Sequence, residues 1–482
     1  MPRNPEYRRL KWRAWLGAAL CVALAGCAVG PDYQRPEIDV GTAYKEAAPV
    51  PGWQPVRADA QAVPADWWRG FSDPQLDRLM DALPQGNLNI AEAEAQVRQA
   101  QAALASSRAG FFPSVDAGSS FNRTSQGRPS VKSDVYSLTG AVSWEPDLWG
   151  RVARSVQADE AGVQAGEADL AGVRLSMQST LAQTYFTLRA DDAQLRLLER
   201  TVEEYQRALT LTKNRYAAGV ASPSDVAAAS AQYQNSRTQM IRQGWQRAQE
   251  EHALAVLVGL TPAQLTLAPS EQITEVPEVP VGVPSVLLQR RPDIIAAERR
   301  AAAANAQIGV ATAVWFPDLT LSAQGGFRAG EWAQWLTAPS RFWTLGPALA
   351  LTIFDGGARQ AGVDAARAAY DAQAAAYRQT VLTAMREVED YLVQSQSLVR
   401  EQQTQQLALD AARETLRQVT DQYQAGIVDY LSVVQAQTSA FSAEQSAISL
   451  QAEHLSATVQ LIAALGGGWS APTAEDGVVP AQ

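Results

Sequence analysis

Apolar residues recur every seven positions along a proline-free stretch of about seventy residues between Gly150 and Gly219: Leu181, Leu188, Leu195, Val202, Leu209 and Tyr216. That spacing keeps one apolar seam of an α-helix turned towards a partner helix. At 1.5 Å per residue such a helix runs roughly 100 Å, more than a small globular core requires. The stretch has a twin. Tyr216 to Gly219 reads Tyr-Ala-Ala-Gly and Tyr423 to Gly426 reads Tyr-Gln-Ala-Gly, an offset of 207 residues (426 − 219) that also relates Gly150 to Gly357 and Val226 to Val433. Upstream, Phe112-Pro113 matches Phe316-Pro317 and Ile90 matches Ile294, an offset of 204 (316 − 112). One unit therefore occurs twice, and the three-residue difference falls between Pro113 and Gly150, where a loop absorbs it.

After each Phe-Pro the period changes to two. Val115, Ala117, Ser119 and Phe121 alternate with polar or small neighbours, as do Tyr136, Leu138, Gly140, Val142 and Trp144. In the second copy Leu319, Leu321, Ala323 and Phe327 alternate, followed by Trp343, Leu345, Leu349 and Leu351. This predicts two hairpins, each with one apolar face, and the offset carries Tyr136 to Trp343 and Trp144 to Leu351, the same face in both copies. Each hairpin precedes a long helix (151–217 and 358–424), a tight turn and a returning helix (224–259 and 430–465). The predicted layout is a removed leader 1–26, an extended arm 27–65, a first repeat 66–260 with hairpin 113–149, a Pro-rich connector 261–291, a second repeat 292–466 with hairpin 317–354, and a patternless tail 467–482.

Four strands with an apolar face pose a problem if that face meets lipid, because an open sheet leaves two edges of unpaired backbone. Single-chain barrels begin near eight strands, so at least two copies must combine. Two copies give a filled barrel and three give twelve strands and a wider bore, which the small, polar residues of the other face favour. A soluble sheet edge packed on the helices is the alternative. The helix seams are rich in Ala and Gln, with Ser395 and Gln402 standing where the first copy has Leu188 and Leu195, which suits a single-layer hollow wall better than a dry bundle.

The amino terminus adds a destination. Arg3, Arg8, Arg9, Lys11 and Arg13 precede an apolar run, Ala14 to Ala25, too short to span a bilayer. The run ends Leu24-Ala25-Gly26-Cys27, which resembles the bacterial lipoprotein processing box, in which the Cys becomes the first residue and takes a diacylglycerol. Cys21 leaves with the leader, so the mature chain keeps one Cys and no internal disulfide. Ala28 after the lipidated position resembles the outer-membrane sorting pattern. The net charge of −10 argues against nucleic acid. His252 and His454 are the only histidines, the offset maps neither onto the other, and five Met give no thioether path for copper or silver. With no metal-ligand cluster, phosphate loop or activated nucleophile, the sequence predicts neither a cofactor nor catalysis.

Three runs carry a family resemblance: Cys27-Ala28-Val29-Gly30-Pro31-Asp32-Tyr33, then Trp68-Arg69-Gly70-Phe71-Ser72-Asp73-Pro74-Gln75-Leu76, and Arg291-Pro292-Asp293-Ile294 with Ala297-Glu298, Ala306, Ile308-Gly309 and Phe316-Pro317. Together they resemble the TolC-like outer-membrane efflux lipoproteins of the OprM, CusC and NodT type. The resemblance implies a mainly α protein with a membrane β-barrel. Its homotrimer joins twelve strands, four per protomer, to a long periplasmic helical tunnel. It also implies a periplasmic adaptor and an inner-membrane resistance-nodulation-division pump as partners. The implied function is a passive exit duct for drugs and other toxic small molecules; a protein-secretion duct and a structural envelope lipoprotein are the alternatives.

The same resemblance assigns residues. Asp225 and Tyr423 match a hydrogen-bonded gate latch. The turns Gly219-Val220-Ala221 and Gly426-Ile427-Val428 match the adaptor-docking tips. Ser432 and Gln435 stand where many relatives carry a ring of Asp, and Val428 where some carry a gate Arg. Asp429 is the nearest carboxylate, either a partial substitute in the gate or a helix cap.

Overall fold

Ala-rich stretches without internal proline become the longer helices, whereas the short first helix holds Pro84 within it. A computed structural model describes residues 28–41, 43–46, 64–128, 131–270, 274–277, 279 and 290–469. The leader 1–26, Cys27, parts of the arm and of the connector, and the tail beyond residue 469 lie outside the described residues. The helices are α1 (Pro74–Gly86), α2 (Leu88–Ala109), α3 (Arg151–Ala217), α4 (Pro223–Leu257), α5 (Pro292–Ala313), α6 (Ala358–Gln424) and α7 (Tyr430–Ala464); the strands are β1 (Ser114–Gln126), β2 (Val131–Trp144), β3 (Asp318–Ala329) and β4 (Arg341–Ala350). Matching helices of the two repeats have equal lengths: 22 residues in α2 and α5, 67 in α3 and α6, and 35 in α4 and α7. The three-residue difference is thereby confined to the hairpins. Among the described residues no helix is long and apolar enough to cross a membrane.

The chain divides into two units. The first holds residues 28–37, 96–167 and 296–378, and with them one antiparallel sheet, ordered β1-β2-β3-β4. Its arm is tied down by polar contacts. Val29 donates its N–H to Trp149 O at 3.1 Å, Arg154 donates to Val29 O and Asp32, and the Tyr33 hydroxyl donates to Glu298 Oε1 at 2.7 Å. Arg35 Nε donates to the Tyr377 hydroxyl, and Asn305 Nδ2 to Pro31 O. Extended backbone with no periodic apolar face is held here by side chains of α3, α5 and α6, which satisfy its carbonyls.

The second unit holds residues 38–95, 168–295 and 379–469. Leu76, Leu83, Ile90, Leu181, Leu188, Leu254, Ile294, Val381, Leu392, Leu455 and Val459 are fully buried in its core. Asp73 caps α1 by accepting from Gln75 N and Leu76 N, with Pro74 in the first helical position. The seam of α3 is buried at Leu181, Leu188 and Leu209, but its last member, Tyr216, is 50% exposed. Its counterpart Tyr423 is 9% exposed.

Buried charge is the unexpected part of this core. Arg189 and Asp192 pair at 2.7 Å with side chains 1% and 0% exposed, and Arg247 donates to the other Asp192 oxygen at 2.7 Å. Arg189 also reaches Ala268 O and Gln75, while Arg247 reaches Leu267 O and Glu251. Asp192 and Glu251 in turn accept the backbone N–H groups of Ser270 and Leu267. These charges satisfy the backbone of the segment that follows α4, which has no sheet or helix of its own to pair with.

Candidate functional site

The two turns at the ends of the long helices follow the same rules in both repeats. After α3, Gly219 adopts φ 75°, Val220 N–H donates to Arg215 O at 2.8 Å and Gly219 N–H to Tyr216 O at 2.9 Å. After α6, Gly426 adopts φ 76°, Ile427 N–H donates to Gln422 O at 2.9 Å and Gly426 N–H to Tyr423 O at 3.0 Å. Both are left-handed helix terminations. A Cβ on either glycine meets nothing within 4 Å, so the requirement is conformational rather than steric.

The returning helices start with the same cap written in opposite order. Before α4, the Ser222 hydroxyl accepts from Asp225 N–H at 3.1 Å and the Asp225 carboxylate accepts from Ser222 N–H at 2.8 Å. Before α7, the Asp429 carboxylate accepts from the N–H of Ser432 at 3.0 Å and from its hydroxyl at 2.6 Å. The offset of 207 maps Ser222 onto Asp429 and Asp225 onto Ser432, so hydroxyl and carboxylate have exchanged places. The Ser432 hydroxyl, helped by its N–H, holds the Asp429 carboxyl below the usual carboxylate range.

Between the two turns lies an apolar cluster of Leu209, Ala229, Tyr423, Tyr430 and Val433, with Val226, Val428 and Val434 half-buried against it. The rings of Tyr423 and Tyr430 lie 5.6 Å apart, and the Arg215 guanidinium sits 4.6 Å over Tyr423. Burial, with the neighbouring Tyr423 and Tyr205, pushes the Tyr430 hydroxyl up to about 12.

Asp225 and Tyr423, the residues of the implied latch, each have partners of their own within the chain. Among the described residues no hydrogen bond joins Asp225 to Tyr423: the carboxylate closes the cap on Ser222, and the Tyr423 ring is packed among aliphatic side chains. Asp429 caps α7. Gln435 is exposed, one helical turn beyond Ser432. At the docking turns Val220 and Ile427, matched by the offset, are 66% and 73% exposed, whereas Val428 turns into the cluster and Ala221 is half-buried. Arg215 and Tyr430 were missed from the sequence; the signal was the set of tyrosines, Tyr205, Tyr233, Tyr423 and Tyr430, near the ends of four different helices. Cys27 lies outside the described residues. Among the described residues no group of three or more His, Cys, Asp or Glu is arranged to hold a metal ion.

The sheet carries the other site. Register pairs Val115 with Val142, Val142 with Ala323 and Ala323 with Leu345, and likewise Trp144 with Leu321, so the apolar residues of all four strands share one face. That face is exposed at Val115, Trp343, Leu345 and Leu349, each at 70% or more. The opposite face carries Asp116, Gly118, Thr139, Gln324, Ser322 and Thr344, with Val131 and Val135 towards the β1–β2 turn and Phe342 on β4, the last covered by Arg328 at 4.9 Å. Among the described residues the outer edges of β1 and β4 have no partner strand.

Comparison with known proteins agrees with these features. The sequence profile of the outer membrane efflux protein family matches residues 79–260 and 283–467, one segment for each repeat. The chain is 31% identical over 467 residues to a probable efflux pump outer membrane protein, TtgC of Pseudomonas putida, covering 95% of this chain and 96% of that one. It is 30% identical to the outer membrane protein OprJ of Pseudomonas aeruginosa, covering 93% and 95%. Among solved structures the outer-membrane channel OprN superposes with a TM-score of 0.84 at 31% identity, over 92% of this chain and all of that one. Repeat, sheet and helices are those of a TolC-like channel protein, and the chain belongs to the outer membrane efflux protein family.

Proposed function

We propose that this chain is the outer-membrane exit duct of a tripartite efflux pump, conducting toxic small molecules passively to the exterior. The observation that carries the reading is the sheet. One face is apolar and exposed across four strands, and both edges are unpaired, an arrangement that suits lipid only after closure with other copies. Closure by three protomers gives twelve strands, lined inside by the small and polar face. Aromatic residues gather at two levels of the sheet, Phe121 and Tyr136 level with the end of β3 beside Trp332 and Trp335 of the β3–β4 connection, and Phe112, Trp144 and Trp315 where the helices join, as in the interfacial girdles of membrane barrels. Cys27 carries the lipid that anchors the mature chain.

The hairpin turns serve as the docking surface for a periplasmic adaptor, with Gly219-Val220-Ala221 and Gly426-Ile427-Val428 presenting two exposed apolar tips. The cluster around Tyr423 and Tyr430 holds the neighbouring helix ends together, so that the gate rests on packing and on the Asp225 and Asp429 caps. Ser432 and Gln435 leave the mouth without a ring of carboxylates, which predicts weak cation preference. The names of the relatives, efflux pump components, favour efflux over protein secretion. Conductance of the purified protein in planar bilayers, together with rescue of drug resistance in a strain lacking its own duct, tests the reading. A protein that neither conducts nor rescues, even with Tyr423 replaced by Ala, is not a duct.

A further inference from the structure

We infer that the turn end of the sheet's apolar face is a docking surface for a phosphorylated glycolipid of the outer leaflet; this rests on the outer-membrane reading above. Charge is segregated along the strands. In 114–144 and 318–350 all five cations, Arg123, Arg128, Lys132, Arg328 and Arg341, lie towards the turns against two of the four carboxylates, Asp134 and Glu331, while Asp116 and Asp318 lie at the helix end. A chain of net charge −10 thus presents a basic rim at one end of its sheet.

The register decides which way the rim faces. Phe121 pairs with Tyr136, Arg123 with Asp134 and Ser125 with Lys132, alternate positions that put Arg123 and Lys132 on the face of Val115 and Trp144. Arg341 pairs with Phe327, and Phe327 with Leu138, on that same face. An aromatic platform shares this face: Phe121 stacks on Tyr136 at 4.6 Å, Trp332 and Trp335 from the β3–β4 connection pack on Tyr136 at 5.6 and 6.1 Å, and the Arg123 guanidinium lies 5.7 Å over Phe121. Arg123 is neutralised by a two-pronged pair with Asp134, both contacts 2.6 Å. Lys132 and Arg341 are exposed; Lys132 is attracted to Asp134 at longer range than Arg123 is, and Arg341 donates to Ala338 O.

Cargo cannot be what this patch recognises, because it lies on the face opposite the small and polar one. A headgroup is the fitting occupant. Aromatic rings at the level of the membrane–water boundary stack on sugar rings, and cations beside them answer phosphates in an anionic leaflet. The bisphosphorylated disaccharide of lipid A joins both chemistries in one headgroup.

The test uses the full-length lipidated protein in nanodiscs of phosphatidylcholine doped with lipid A, with protein-bound lipid counted by native mass spectrometry. The native chain is expected to retain bisphosphorylated lipid A in preference to phosphatidylglycerol. Lys132→Gln with Arg341→Gln is expected to weaken retention about tenfold or more, two interfacial cations being lost. Trp332→Ala is expected to weaken it with the cations intact. Retention unchanged in the double variant, or phosphatidylglycerol held equally well, overturns the inference. Single-channel conductance of the same samples separates the two readings: a conducting double variant with full lipid A retention sinks only the docking surface, and a protein that does not conduct even as Tyr423→Ala sinks the duct.

Discussion

The guanidinium of Arg215 lies 4.6 Å over the ring of Tyr423 and bridges the end of α3 to the end of α6. Its backbone carbonyl meanwhile accepts from Val220 and Ala221, so one residue both closes the first turn and covers the ring beside the second. What Tyr423 supplies is therefore its ring. Tyr423→Phe is expected to leave single-channel conductance and drug entry unchanged. Tyr423→Ala removes a buried ring at a cost of about 3 kcal/mol or more, and a leak is expected. Arg215→Ala is expected to leak less, since a cation over a ring is worth about 0.5–2 kcal/mol. A leak from the Phe variant equal to that from the Ala variant would return the hydroxyl to the centre of the gate.

The exchanged caps give a pH-dependent prediction. The Asp429 carboxyl titrates below its ordinary value of 3.8 because Ser432 donates to the charged form, so its contribution is present above that value and is lost as pH falls through the folded value. Hydrogen exchange in the first turn of α7 should accelerate on acidification through the lower carboxylate range and should be fast at every pH in Asp429→Ala. The double substitution Asp429→Ser with Ser432→Asp, which reproduces the order found at Ser222 and Asp225, is expected to restore slow exchange.

Adjacent residues of β4 should respond oppositely to the same substitution. Leu345 is on the apolar face with Ala323, whereas Thr344 is on the other face with Gln324. Leu345→Arg places a charge against lipid at a cost on the order of 2–4 kcal/mol near mid-membrane, and loss of assembled, heat-resistant protein on gels is expected. Thr344→Arg should assemble normally and shift reversal potential towards anion preference.

The sheet was legible because its pattern is self-consistent: alternation at Val115 to Phe121 and at Tyr136 to Trp144 has a single register that puts both runs on one face, and the second copy repeats it. The long helices were legible from the duplication, which fixes their ends at Gly219 and Gly426 by backbone conformation alone. The partners of Asp225 and Tyr423 were not legible. A Ser-x-x-Asp run satisfies a capping box locally, and nothing in the one-dimensional pattern tells a ring packed on Arg215 from a ring whose hydroxyl is bonded. The pair Arg189 and Asp192 was also hidden. Three positions apart on a helix they read as a surface pair, and only the Ala268 carbonyl, which accepts from Arg189, and the Ser270 N–H, which donates to Asp192, 79 and 78 residues away, give them a reason to be buried.

That burial sets the cost of breaking the pair. Asp192→Ala leaves Arg189 and Arg247, 1% and 13% exposed, without their shared carboxylate. Removing one partner of a buried pair costs about 3–5 kcal/mol, and a lower unfolding midpoint in denaturant is expected. Glu203→Ala, which removes an exposed partner of Arg207 on the same helix, should change the midpoint little, within about 1 kcal/mol.

Beside that pair, Asp191 is pushed the other way, up to about 6, by burial, with Glu250 and Asp192 adding to it and a 2.7 Å hydrogen bond from Gln243 opposing it. Its folded value exceeds the ordinary 3.8, so the folded state holds the proton more tightly. The stabilisation is fully present below 3.8, declines above it and is gone once pH passes through about 6. The whole shift corresponds to roughly 3 kcal/mol, and screening of a half-exposed group brings that to about 1 kcal/mol. Asp191→Asn keeps an oxygen for Gln243 and cannot ionise. Its thermal midpoint should lie above that of the native chain at pH 8, and the gap should close as the pH is lowered through 6 towards 4.5. A gap that stays the same over that range would mean that the carboxylate is not what titrates there.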